Sequence, residues 1–181
     1  MSGKVLVLNG GSSSGKSGLA RSLQHLLPDV WLTFGVDTLV DALPARLTTG
    51  DGVDIADDGS VSLGDGFRAV EAAWNAGLAT MVRSGANVIV DEVFLGGAES
   101  QARLSAALSG LDVTWVGVRC APDVAVGREI ARGDRVLGMA AKQALVVHDG
   151  VRYDIEVDTA RSESIECATQ IVEFLQPAEA R

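Results

Sequence analysis

Apolar runs with strand character recur along the chain at 4–8, 30–35, 86–91, 111–118 and 153–157, and helical periodicity fills most of the segments between them. This alternation predicts βαβ units, and so an α/β domain with a parallel sheet covered by helices. Leu19, Leu23, Leu26 and Leu27 share one helical face, and Pro28 stops that helix. Phe67, Val70, Trp74, Leu78, Met81 and Val82 repeat the spacing between Gly66 and Gly85, which predicts a core position for Trp74. Ile165, Ile171, Val172 and Leu175 predict a closing helix, ended by Pro177.

Two segments break the rhythm. Residues 44–66 are rich in Gly, Asp and Thr, and Val53-Asp54-Ile55 and Ser60-Val61-Ser62-Leu63 flank an Asp57-Asp58-Gly59 turn, which predicts a hairpin inserted beside the site. Its acidic residues do not match calcium-loop spacing and are expected to be solvated. Residues 127–136 carry Gly127, Gly133, Arg128, Arg132 and Arg135 without a clean apolar face. They form a candidate lid over bound nucleotide.

Between the first strand and the first helix stands Gly10-Gly11-Ser12-Ser13-Ser14-Gly15-Lys16-Ser17, a complete G-x-x-x-x-G-K-S phosphate loop. Its glycines let successive backbone N–H groups turn toward phosphate oxygens. Lys16 reaches the β- and γ-phosphates, Ser17 is placed to ligate Mg²⁺, and the helix beginning at Lys16 adds its positive end. The context implies a nucleoside triphosphate, ATP above all.

Ligands of open parallel sheets lie beyond the carboxyl ends of the strands, which brings Gly35-Val36-Asp37 and Asp91-Glu92 to the phosphate loop. Asp91 ends an apolar strand and is a candidate carboxylate for Mg²⁺, the alternative being a helix cap. Asp37 is a candidate base for an attacking hydroxyl, with an N-cap as the even alternative. Arg128, Arg132 and Arg135 either surround the phosphates and adenine or form a solvated face. His25 and His148 fit no catalytic arrangement, and His148 before Gly150 is placed where a cation suits a helix dipole.

The 181 residues suit one domain, and the net charge of −9, from 24 acidic and 15 basic side chains, disfavours nucleic acid or an anionic membrane as partner. Lys16 is one of only three lysines. Cys120 and Cys167 lack metal-ligand spacing and read as buried thiols in a reducing cytoplasm. No run is long enough for a membrane span, and the apolar run at the start is too short for a signal peptide.

Several segments together resemble the chloramphenicol phosphotransferase family: Leu8-Asn9-Gly10-Gly11-Ser12-Ser13 with Gly15-Lys16-Ser17, Phe34-Gly35-Val36-Asp37, Asp91-Glu92-Val93-Phe94-Leu95-Gly96-Gly97, Ala131-Arg132-Gly133-Asp134-Arg135, and Ala141-Lys142-Gln143 with Val147-His148. The resemblance runs over nearly the whole chain. It implies a P-loop NTPase three-layer sandwich with a five-stranded parallel sheet, akin to nucleoside-monophosphate and shikimate kinases. It implies ATP and Mg²⁺ as co-substrates and phosphorylation of the primary hydroxyl of chloramphenicol. Residue by residue it makes Gly10 to Ser17 the phosphate loop, Asp37 the base, and Arg128, Arg132 and Arg135 the lid and nucleotide contacts, with Lys16 and Arg135 beside Asp37 in the catalytic set and Ser17 and Asp91 at the metal. Glu92 departs from the family, where a second aspartate is expected. The segment 44–66 matches least well. Open alternatives are a P-loop kinase of another small hydroxylated metabolite and a nucleotide-binding module without transfer; a homo-oligomer is compatible with either.

Overall fold

In a computed structural model the described residues are 2–133 and 136–176, without the side chain of Leu145. In chain order the elements are β1 (Lys4–Asn9), α1 (Lys16–Leu26), β2 (Trp31–Gly35), α2 (Val36–Asp41), a 3₁₀ turn (Ala45–Leu47), β3 (Val53–Ile55), β4 (Val61–Leu63), α3 (Asp65–Arg83), β5 (Asn87–Glu92), α4 (Ala98–Ala107), β6 (Asp112–Arg119), α5 (Pro122–Arg132), α6 (Met139–Val146), β7 (Ile155–Asp158) and α7 (Ser164–Leu175).

The strands β2-β5-β1-β6-β7 form one five-stranded sheet, parallel throughout. Its central strand explains the continuous apolar runs, because alternate residues of β1 are buried on opposite faces. Leu6 and Leu8 pack with Leu19 and Leu23 of α1 and with Cys167, Ala168 and Ile171 of α7. Val5 and Val7 pack with Leu78, Ala79 and Val82 of α3 and with Leu104 of α4. The result is the predicted three-layer α/β sandwich. Trp74 is half-buried in the α3 layer, edge-on to Phe34 with ring centroids 5.9 Å apart.

The strands β3 and β4 pair antiparallel, with Val53 opposite Leu63 and Ile55 opposite Val61, as the turn signal predicts. Val53 joins Leu39 and Phe67 in a third cluster, so the hairpin is held by α2 and α3 and not by the main sheet. Its tip reaches α6. A Cβ on Gly59 would lie 2.4 Å from the Met139 nitrogen, and Lys142 pairs with Asp58 and holds that carboxyl well below its usual range. The acidic turn is therefore tied down at Asp58 and is not simply solvated.

The described part of the candidate lid is largely helical. Residues 127–132 are the last part of α5, which starts with Pro122 in its first turn, buries Ala125 and Glu129, and ends where Gly133 turns left-handed at φ 65°. Glu129 is buried and caps the next helix, accepting from the Gly138 N–H at 2.9 Å and the Ala140 N–H at 2.8 Å. Arg135 and Pro177 lie outside the described residues.

Candidate active site

The phosphate loop leaves β1 and enters α1 at Lys16, and its geometry shows why small residues fill it. A Cβ on Gly10 would stand 2.7 Å from the Val118 carbonyl, and Gly15 has φ 89°. Ser13, at φ 58°, is the one non-glycine residue with positive φ among the described residues, a conformation that concentrates at ligand sites. The Ser13 and Ser14 hydroxyls are buried without a protein partner, as suits a cradle for an oxyanion. These residues fit a bound polyphosphate.

Lys16 is buried at 7 % exposure, and its Nζ donates to the Gly11 carbonyl at 2.9 Å while lying 3.7 Å from Asp91 Oδ1. Ser17 Oγ donates to Asp91 Oδ2 at 2.9 Å. Asp91 lies within β5 in register with Gly35, and the next helix, α4, is capped by Gly97, so Asp91 caps nothing. A hydroxyl and one carboxylate suit Mg²⁺, which keeps several waters and takes its remaining oxygens from substrate phosphates. Among the described residues no group of three or more His, Cys, Asp or Glu side chains is placed to hold a metal.

Asp37 sits in the first turn of α2, whose N-cap is Gly35, and so is not the cap. It lines, with Lys16 and Asp91, a cavity of ≈ 560 Å³. Part of its wall is apolar: Val53, Ile55, Val61 and Leu63 of the hairpin, with Phe67 of α3. Phe94 lines it and also belongs to the core, 2 % exposed, its N–H donating to Asn9 Oδ1 at 2.9 Å.

Sequence reasoning missed the polar residues of this cavity. Glu71 and Asn75 follow Phe67 at i+4 and i+8 on α3, and all three face the cavity. Asn75 is buried, while Glu71 is held by Arg68 at 2.9 Å and Arg103 at 3.6 Å. Glu92 ends β5 beside them. Burial, and then the neighbouring Glu71 and Asp91 charges, push its carboxyl up to about 8, so it is largely protonated at neutral pH. Polar residues in phase with an apolar stripe were the available signal.

Arg128 lies beside Gly15, on a second cleft that Arg132 and Thr159 also line. Its Nη2 donates to the Thr159 carbonyl at 2.6 Å, and the Thr159 hydroxyl donates to the Ser14 carbonyl at 2.6 Å. Arg128 thus supports the loop from behind as well as facing the cleft. His148 is not the dipole-stabilised cation expected at a helix end. Its Nδ1 lies 2.6 Å from the Tyr153 hydroxyl, and burial, with Arg119 nearby, lowers its pKa to about 4.

Against known proteins, a family model described as "Chloramphenicol phosphotransferase-like protein" matches residues 3–176. A Mycobacterium tuberculosis protein named "Putative O-phosphotransferase" in two strains is 31% identical over 195 residues, covering 96% of this chain and 83% of its own. Among solved structures, the M. tuberculosis APS kinase in complex with AMPPNP and APS superposes with TM-score 0.66 at 17% identity, over 97% of this chain and 99% of that one. A sugar kinase from Janibacter sp. HTCC2649 gives 0.70 at 15% identity, over 96% and 94%. At these identities the structures establish the P-loop kinase fold.

Proposed function

The chain belongs to the chloramphenicol phosphotransferase-like family, and from that premise we propose that it transfers the terminal phosphoryl group of ATP, with Mg²⁺, to the primary hydroxyl of chloramphenicol. That it is a phosphotransferase with a P-loop kinase fold follows from the family and the architecture; the acceptor, the nucleotide and the residue roles are the proposal.

The observation that carries it is the make-up of one cavity. Lys16, Asp91 and Asp37 line it together with the apolar side chains of the hairpin. ATP supplies the phosphoryl group. Gly10 to Ser17 hold the phosphates, Ser17 and Asp91 hold Mg²⁺, and Lys16 offsets negative charge as it redistributes. Asp37 takes the proton of the attacking hydroxyl. Arg128 and Arg132 flank the nucleotide cleft. The apolar wall suits a largely uncharged aromatic body, oriented by a few hydrogen bonds. Buried Asn75 and half-buried, protonated Glu92 are polar groups of this cavity placed to give them.

The test is mass spectrometry of chloramphenicol incubated with protein, ATP and Mg²⁺, beside an analogue whose primary hydroxyl is replaced by hydrogen. Chloramphenicol should gain one phosphoryl group, and the analogue should remain unmodified. If chloramphenicol is unchanged while another small alcohol is phosphorylated, the acceptor assignment is overturned.

A further inference from the structure

Gln143 is buried on α6, 5 % exposed, yet it lines the cavity beside Ser12 and Lys16. The Ser12 N–H donates to its Oε1 at 2.6 Å. A backbone donor needs an oxygen, so this bond fixes the amide's orientation and turns the Nε2 donors away from Ser12. Nε2 has no hydrogen-bond partner among the described residues. It is not one of the fully enclosed orphan atoms, and Gln143 lines the cavity. Helix α6 is seated directly on the loop: a Cβ on Gly11 would lie 3.3 Å from the Ala144 nitrogen and 3.4 Å from Gln143 Cβ.

These contacts place the amide on a particular side of the loop. Lys16 Nζ is bonded to the Gly11 carbonyl, so the lysine ammonium and Gln143 both border the Gly11-Ser12 edge. The backbone N–H groups of a phosphate loop cradle the α- and β-phosphates, while its lysine reaches β and γ. The edge with the lysine head is therefore where the terminal phosphoryl group lies. We infer that Gln143 is a γ-phosphoryl contact: its Oε1 is anchored by Ser12, and its Nε2 donates to an oxygen of the terminal phosphoryl group. This rests on the nucleotide reading above but not on the identity of the acceptor. A donor aimed at a group that only the triphosphate carries distinguishes ATP from ADP, and it stays aimed without reorganisation because Ser12 holds the other end.

The test is calorimetric binding of ADP and of AMPPNP, each with Mg²⁺, to the full chain and to Gln143→Met and Gln143→Glu. The methionine keeps the volume and removes the amide. The glutamate keeps the acceptor for the Ser12 N–H and replaces the donor with a repelling oxygen. The readout is the ratio of AMPPNP to ADP affinity, which should fall about tenfold or more in both variants, since hydrogen bonds to charged groups are the strong ones. Loss of loop anchoring alone would weaken both nucleotides alike and leave the ratio unchanged. An unchanged ratio in either folded variant overturns the assignment. Failure of the wild-type chain to bind either nucleotide would instead overturn the nucleotide reading, and this inference with it.

Discussion

Ser17 donates its hydroxyl hydrogen to Asp91 Oδ2 at 2.9 Å, joining the end of the phosphate loop to the end of a strand 74 residues later. Both groups lie where Mg²⁺ is required, and neither is spent on the core. Asp91→Asn keeps the shape and an acceptor for Ser17 but removes the charge. A magnesium titration of phosphotransfer should show a raised half-saturating concentration and a maximal rate lower by ~10²-fold, as when electrostatic stabilisation is lost. An unshifted titration curve would take Asp91 out of the metal site.

Lys16→Ala removes the ammonium that borders the Gly11 carbonyl and Asp91. Phosphotransfer should collapse while the circular dichroism spectrum stays native, because this lysine faces the cavity and not the layers of the sandwich. Wild-type rates in the folded variant would be incompatible with the phosphate-loop assignment.

Thr159 links β7 to the loop, since its hydroxyl donates to the Ser14 carbonyl at 2.6 Å and its own carbonyl accepts from Arg128. Thr159→Val keeps the volume and the Arg128 bond to the backbone carbonyl, but loses the longer Arg128 bond to the hydroxyl at 3.4 Å and leaves the Ser14 carbonyl without this donor. Leaving a buried acceptor unpaired costs about 1–3 kcal/mol. Thermal denaturation should show a loss of a few degrees, with weaker ADP binding as the loop loosens. A variant with wild-type Tm and affinity would show that the link has no energetic role.

Legibility in the sequence followed the range of each interaction. The alternation of apolar runs foretold the parallel sheet, and the Asp57-Asp58-Gly59 turn foretold the hairpin, because both signals are local. The phosphate loop is a contiguous motif. Asp91 could be placed because a strand end in a parallel sheet points to one known edge. By contrast, Ser12 meets Gln143 across 131 residues and Ser14 meets Thr159 across 145, and no periodicity encodes such pairs. Arg128 and Arg132 showed no clean apolar face in the sequence, yet α5 runs through them on its buried Ala125 and Glu129. His148 was misread because a helix end was weighed without the burial and the Arg119 charge that the fold brings to it.

Glu92 supplies a pH dependence with a definite sign. Its carboxyl is raised from 4.5 to about 8, so between those values the native state keeps a proton that the unfolded state has released. Its contribution to stability therefore falls as pH rises through that window and levels off above it. Glu92→Gln abolishes the titration. Denaturant unfolding should find the two proteins alike near pH 4, and the variant more stable at pH 9 by a few kcal/mol, with ~5 kcal/mol as the upper bound set by a rise from 4.5 to about 8. A constant difference across the range would mean that Glu92 titrates normally.

The central claim is that this cavity transfers phosphate to chloramphenicol with Asp37 taking the proton, and the most direct measurement is the rate of phosphorylated chloramphenicol formed per ADP released, in wild type and Asp37→Asn. The account predicts one product per ADP in the wild type and a rate lower by ~10²- to 10⁴-fold in the variant, the range for loss of a general base, with ATP affinity unchanged. A folded Asp37→Asn protein that phosphorylates chloramphenicol at the wild-type rate, or a wild type that releases ADP without modifying chloramphenicol, would contradict it.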